Sequence, residues 1–193
     1  MILPIIAYGT PVLRKVGKDI DKDYPKLDGL IANMRETMDN AHGVGLAAPQ
    51  IGLAIRLFLV DTAPFAENED LTDEEKKEFE NFNKVFINAQ ITKEEGEHWD
   101  FNEGCLSIPN INEDVARQPT ITITYFDEKF KKHTETYSGV IARVIQHEYD
   151  HIEGILFTDK LTSFKKRLLK RKLDNISKGN IDIHYPMKFP KKK

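Results

Sequence analysis

A single cysteine, Cys105, leaves no partner for an internal disulfide, which excludes a disulfide-stapled scaffold and fits a reducing compartment. Long apolar runs are also missing: none approaches the roughly 20 residues that a membrane-crossing helix requires, so no membrane association is expected. The opening "MILPIIAYGTPVLRK" is broken too soon by Pro4, Gly9 and Pro11 to serve as a signal peptide, and it lacks the Arg/Ser enrichment of a transit sequence. Internal repeats and low-complexity stretches are absent. What is there is an ordinary composition, 40% hydrophobic and 31% charged, on a chain long enough for one domain with a real core. A cytoplasmic protein is expected, with monomer as the default because no apolar stripe is left over for an interface.

The net charge of −3 hides an asymmetry. Residues 165–193 carry 11 Lys and Arg against 2 Asp, whereas the first 164 residues hold 17 basic and 29 acidic side chains. A basic end on an acidic body suits a polyanionic partner such as RNA. A solvated helix face with a frayed lysine end explains it equally well.

Periodicity places the elements. In "PKLDGLIANMRETMDNAH" (25–42), Leu27, Leu30, Ile31, Met34, Met38 and Ala41 share one helical face, with Gly43 placed to end the helix. "IRLFLV" (55–60), "KVFINAQIT" (84–92), "TITITYFD" (120–127) and "KKHTETYSG" (131–139) read as strands. The acidic stretch 66–83 lacks a core pattern and reads as a surface loop or short exposed helix. "VIARVIQHEYDHIEG" (140–154) reads as a helix with Val140, Val144, His147 and His151 on one stripe. A last helix over 161–177 is expected to turn Leu161, Phe164 and Leu168 inward, with Leu169 and Leu173 as further candidates. Helices and strands mix without βαβ alternation, which predicts an α+β fold.

Within "QHEYDH" (146–151), His147 and His151 stand four apart, so both imidazoles can reach one cation from one helix face. Glu148 points beside that stripe, where a carboxylate can act as general base on water at a metal's open position. A catalytic site needs a third protein ligand, and no downstream residue continues a metalloprotease pattern. Cys105 in "EGCLSIP" would supply a thiolate, although a lone cysteine is more often a small buried hydrophobe. "GVGLAAPQIG" (43–52) is a Gly-rich turn that admits close backbone approach, with Gln50 as a possible donor, and by itself it is weak. These residues alone leave open a metalloprotease, another metal-dependent hydrolase, or an RNA-binding module with a structural metal.

Taken in order, "GVGLAAPQ", "EGCLS" and "QHEYDHIEG" resemble the three signature motifs of the peptide deformylases, a likeness running from about Ile5 to Leu161. "YGTPVLRKV" is similar to the family's usual start, and the absence of a transit-like start resembles the bacterial members. Ile152 departs from the more usual leucine, and the 66–83 insert belongs to no motif.

The resemblance implies a central metal-binding helix packed among antiparallel or mixed strands, followed by a C-terminal helix. One domain is then expected over 1–193, with a catalytic core at 1–164 and a basic helix and tail at 165–193. It implies Cys105, His147 and His151 as ligands of one divalent ion, Fe2+ physiologically, with Zn2+, Ni2+ or Co2+ able to substitute. Glu148 is implied as proton carrier, with Gln50 and the backbone N–H of Leu106 as oxyanion donors. Formyl-methionyl chains would bind extended along Val44 and Gly45, with the methionine against Phe101, Val140 and His147. Glu103 would orient the site, and Arg117 would lie near the rim or serve as an unremarkable surface charge. The implied reaction removes the N-formyl group from nascent polypeptides, with the ribosome as a partner through the basic C-terminal helix.

Overall fold

A computed structural model describes residues 1–191; Lys192 and Lys193, the last charges of the expected basic tail, lie outside the described residues. A five-stranded antiparallel sheet carries the molecule, in the order β2 (Gly45–Ala47), β3 (Leu57–Asp61), β4 (Asn83–Glu95), β7 (Thr120–Phe126) and β8 (Lys132–Ser138). Between β4 and β7 the chain makes a separate hairpin of β5 (Trp99–Cys105) and β6 (Ile108–Arg117). A third, parallel pair joins β1 (Ile5–Ile6) to β9 (Met187–Lys188), tying the two ends of the described chain together. The fold is α+β, as the mixed pattern predicted.

The helix α3 (Gly139–Ile152) is buried on most of its circumference because two layers cover it. Ile141, Ala142, Val144, Ile145 and Ile152 pack with Phe58, Val60, Ile121 and Ile123 of the large sheet. Its polar residues Arg143 and His147 instead reach the β5–β6 hairpin. An amphipathic helix normally turns its polar face to water, so a polar face buried under a hairpin must find all its partners inside the protein.

Helix α1 (Leu27–Asn40) packs Ile31, Met34 and Met38 against Leu46, Leu57, Leu59 and Val85. Its C-terminus closes with a Schellman pair, His42 N–H to Asp39 O and Gly43 N–H to Met38 O, both 3.0 Å. His42 takes the left-handed conformation there (φ 54°), a place glycine usually fills. The 66–83 stretch contains α2 (Asp73–Glu80), capped by Thr72 and Glu75.

The last helix, α4 (Ser163–Ser177), departs from the expected orientation. Leu169, Leu173 and Ile176 face the hairpin residues Ile108, Ile111 and Val115, while Phe164 and Leu168 are 62% and 64% exposed. Two stripes of period 3–4 compete on this helix, and the one continuing to Ile176 wins because it meets an apolar surface. Leu161 is buried as expected, but it precedes the helix.

Candidate metal centre and active site

Two segments, α3 and the end of β5, meet beside the edge strand β2. The Cys105 Sγ and one ring nitrogen each of His147 and His151 all lie within 4.8 Å of one another, with Cys105 Sγ 3.3 Å from His151 Nε2. Two successive turns of α3 present the imidazoles, and the end of β5 brings in the thiol. Register in the hairpin jumps at this point, from Gly104 opposite Asn112 to Cys105 opposite Ile108, which leaves Leu106 and Ser107 as a tight turn.

The donor set fits a soft or borderline divalent ion, and its surroundings fit a positive charge. His147 Nδ1 lies 2.9 Å from Glu103 Oε2, an arrangement that fixes the ring and directs Nε2 toward the cluster. Burial disfavours a charged imidazole at His147, yet Cys105 and Glu103 hold its pKa well above the ordinary value. Burial, together with the charges of His147 and Arg117, pushes His151 well below it. A cation bound by these side chains would compete with protons for them.

Glu103 lies behind the Cys-His-His cluster and gathers its polar partners. Arg117 forks onto both of its oxygens at 2.7 and 3.0 Å, Arg143 adds a bond at 3.0 Å, and Arg117 also reaches Asp150 Oδ2 at 2.6 Å. Burial alone would raise the Glu103 pKa, but His147 and Arg117 hold it far below the carboxylate range. Arg117 is therefore not a rim or surface charge: it is 5% exposed and buried in this network, because its β6 neighbours turn it under α3. Arg143 and Asp150 were missed in the sequence, although an arginine on the apolar side of "VIARVIQHE" is the kind of residue that must have buried partners.

Glu148 is equally buried and differently supplied. Its Oε2 has no hydrogen-bond partner, and burial pushes its carboxyl up to about 7, with His147 pulling it down and Glu103 pushing it up. Gly45 makes room for it: a Cβ there would lie 2.4 Å from Glu148 Oε1. Gln50 sits 1% exposed in the 3-10 turn Ala48–Ile51. Its Oε1 accepts from Ala47 N–H at 2.8 Å, so its NH2 is turned to Cys105 Sγ at 3.6 Å. A Cβ on Gly43 would meet Leu106 Cδ1 at 2.8 Å, so these two motifs touch through a glycine.

A cleft of about 350 Å³ opens over this cluster. Of the expected residues, Val44, Gly45, Gln50, Phe101, Glu103, Cys105, Leu106, His147 and Glu148 line it. Val140 and His151 do not; Val144, one turn further along α3 from Val140, takes that place on the wall. The reading also missed Phe65, Ile108, Asn110, Ile111 and Asn112. The alternation of "IPNINEDVAR" carried a strand signal for the hairpin residues, whereas nothing local marks Phe65, which is held from behind by Phe79 of α2 at 5.8 Å between ring centroids.

Comparison with known proteins identifies the family and the fold. The family model described as polypeptide deformylase matches residues 2–167. A peptide deformylase of Christiangramia forsetii is 68% identical over 193 residues, all of this chain and 98% of that protein. One from Flavobacterium johnsoniae is 62% identical, covering 98% of this chain and 96% of its own length. The crystal structure of a peptide deformylase from Legionella pneumophila superposes with a TM-score of 0.79 at 33% identity, covering 93% of this chain and 98% of that one.

Proposed function

The chain belongs to the polypeptide deformylase family, and on that premise we propose how its own residues carry the reaction. The enzyme is a metal-dependent hydrolase that removes the N-formyl group from the terminal methionine of newly made polypeptides and releases formate. One observation carries the assignment of roles: a Cys-His-His cluster lies under a cleft whose wall holds an unpartnered, buried glutamate oxygen.

Cys105, His147 and His151 would hold one divalent ion, Fe2+ in the cell, with Zn2+, Ni2+ or Co2+ able to take its place. Bound there, the ion would acidify water and polarise the formyl oxygen. Glu148 accepts the proton from the attacking water and delivers it to the departing amine. The Gln50 amide and the Leu106 N–H donate to the oxyanion that develops at the formyl carbon. Glu103 keeps His147 in the tautomer and orientation that ligation requires. The peptide lies extended against the free edge of β2 at Val44 and Gly45, so recognition through main chain tolerates varied sequence after methionine. The methionine side chain packs against Phe101, Val144 and His147.

The setting is the cytoplasm, and no described helix is long and apolar enough to cross a membrane. The protein acts as a monomer. Lys166, Arg167, Lys170, Arg171 and Lys172 are exposed along α4 and supply the charge for docking on the ribosome, while Lys165 is drawn to Glu113 at 2.9 Å. Sedimentation with ribosomes should show binding that falls steeply as salt rises; binding indifferent to salt counts against it.

The test of the reaction is formate release from an N-formyl-methionyl peptide by protein loaded with Fe2+ without oxygen, with Cys105→Ser beside it. Rapid release that is lost with the bound metal in the variant supports the assignment. A fully metallated wild type that releases none overturns it.

A further inference from the structure

The chain beyond the family match does more than trail from α4. Three consecutive contacts bring residues 182–185 onto the cleft wall. The Asp182 carbonyl accepts from Asn110 Nδ2 at 3.3 Å, the His184 ring lies 5.3 Å from that of His42, and the Tyr185 hydroxyl donates to the Leu106 carbonyl at 2.9 Å. Asn110, His42 and Leu106 all line the cleft, and they come from the hairpin and from the end of α1, which are far apart in sequence. The strap is held at its far side by Ile5 N–H to Pro186 O and Ala7 N–H to Lys188 O, both 2.9 Å. The family model matches residues 2–167, so residues 182–188 lie beyond it and outside the three motifs.

We propose that Tyr185 is a positioning residue for deformylation, its hydroxyl clamping the two-residue turn that carries the oxyanion-donating N–H of Leu106. This rests on the role given to Leu106 above. The turn between the paired residues Cys105 and Ile108 has two tethers outside the hairpin ladder: Tyr8 N–H to Ser107 O at 2.9 Å and the Tyr185 hydroxyl to Leu106 O. The ring of Tyr185 is 8% exposed and packed into the core beside α1 and β2. Ring and hydroxyl therefore have separable duties: the ring belongs to the core, and the hydroxyl reaches past it to the active-site backbone. A donor N–H must be in place before the oxyanion forms; Tyr185 holds the next peptide, Leu106–Ser107, and so fixes the turn on which that N–H sits, and loosening it costs rate without weakening ground-state binding.

Tyr185→Phe keeps the ring and deletes the tether. Steady-state deformylation by Fe2+-loaded enzyme should show kcat lowered about three- to tenfold, the rate equivalent of one neutral hydrogen bond. KM, bound metal and melting temperature should match the wild type. A kcat within twofold of wild type overturns the proposal. So does a loss shared among kcat, metal content and melting temperature, which makes Tyr185 a structural residue only. Glu148→Ala runs beside it to separate the two levels: a wild type as inactive as Glu148→Ala refutes the deformylation reading itself, and the role of Tyr185 with it.

Discussion

Two glutamates flank His147 in this protein, and both are 4% exposed. Glu103 receives Arg117, Arg143 and His147 on its two oxygens, and its carboxyl stays ionised far below the usual range. Glu148 leaves one oxygen unpartnered and is pushed up to about 7. Equal burial thus yields opposite chemistry, because the neighbours decide which protonation state is held. A carboxylate satisfied on every side holds the fold and orients a ligand; one left short of partners can trade a proton. The contrast teaches which acid in a buried cluster to assign to catalysis before any substrate is in view.

The largest break in this comparison should come from Glu148→Gln, which removes the proposed proton carrier and leaves Cys105, His147 and His151 in place. Formate release should fall about 10²–10⁴-fold with metal content intact, measured on anaerobically loaded protein. Gln50→Leu tests the oxyanion side without touching either acid; a loss of about 10²–10³-fold with metal retained is expected, and near-normal turnover would refute the role given to Gln50. Glu103→Gln strips charge from the network behind His147. Metal affinity should weaken about 10–100-fold. The fold should lose roughly 3–5 kcal/mol, since Arg143 is left buried without a carboxylate and Arg117 keeps only Asp150; chelator titration and chemical denaturation read the two effects.

The smallest effect sharpens the contrast away from the cleft. Glu135 accepts from Tyr125 at 2.5 Å, from Tyr137 and from Lys84 at 2.9 Å. Burial raises its pKa, but these donors outweigh it and bring the carboxyl down to about 2. A folded value below the ordinary 4.5 means that its stabilisation is present above that pH and drains away as pH falls from about 4.5 towards 2. Acid unfolding of Glu135→Gln should be shallower in that window, and an identical acid profile would deny Glu135 this role.

Much of this site was legible because it is built from short segments whose spacing carries the chemistry. His147 and His151 align on any α-helix, and Gly45 answers a close approach that only glycine permits. The rest depends on what packs against what. The buried state of Arg117 and the partners of Arg143 are set by a hairpin laid across α3, which no local pattern around either arginine encodes. The choice between the Phe164–Leu168 stripe and the Leu169–Leu173–Ile176 stripe was undetermined until β6 offered its apolar face. Val140 and Val144 share a helical stripe, and only the depth of the cleft separates them.

The division of labour between the two glutamates is tested most directly by the thermal unfolding of metal-free Glu148→Gln against metal-free wild type at neutral pH. Removing an unpartnered buried carboxyl should leave the melting temperature equal or higher, although the same substitution should cut turnover by about 10²–10⁴-fold. A melting temperature several degrees lower would mean that Glu148 holds the fold as Glu103 does, and would contradict its assignment to the chemistry.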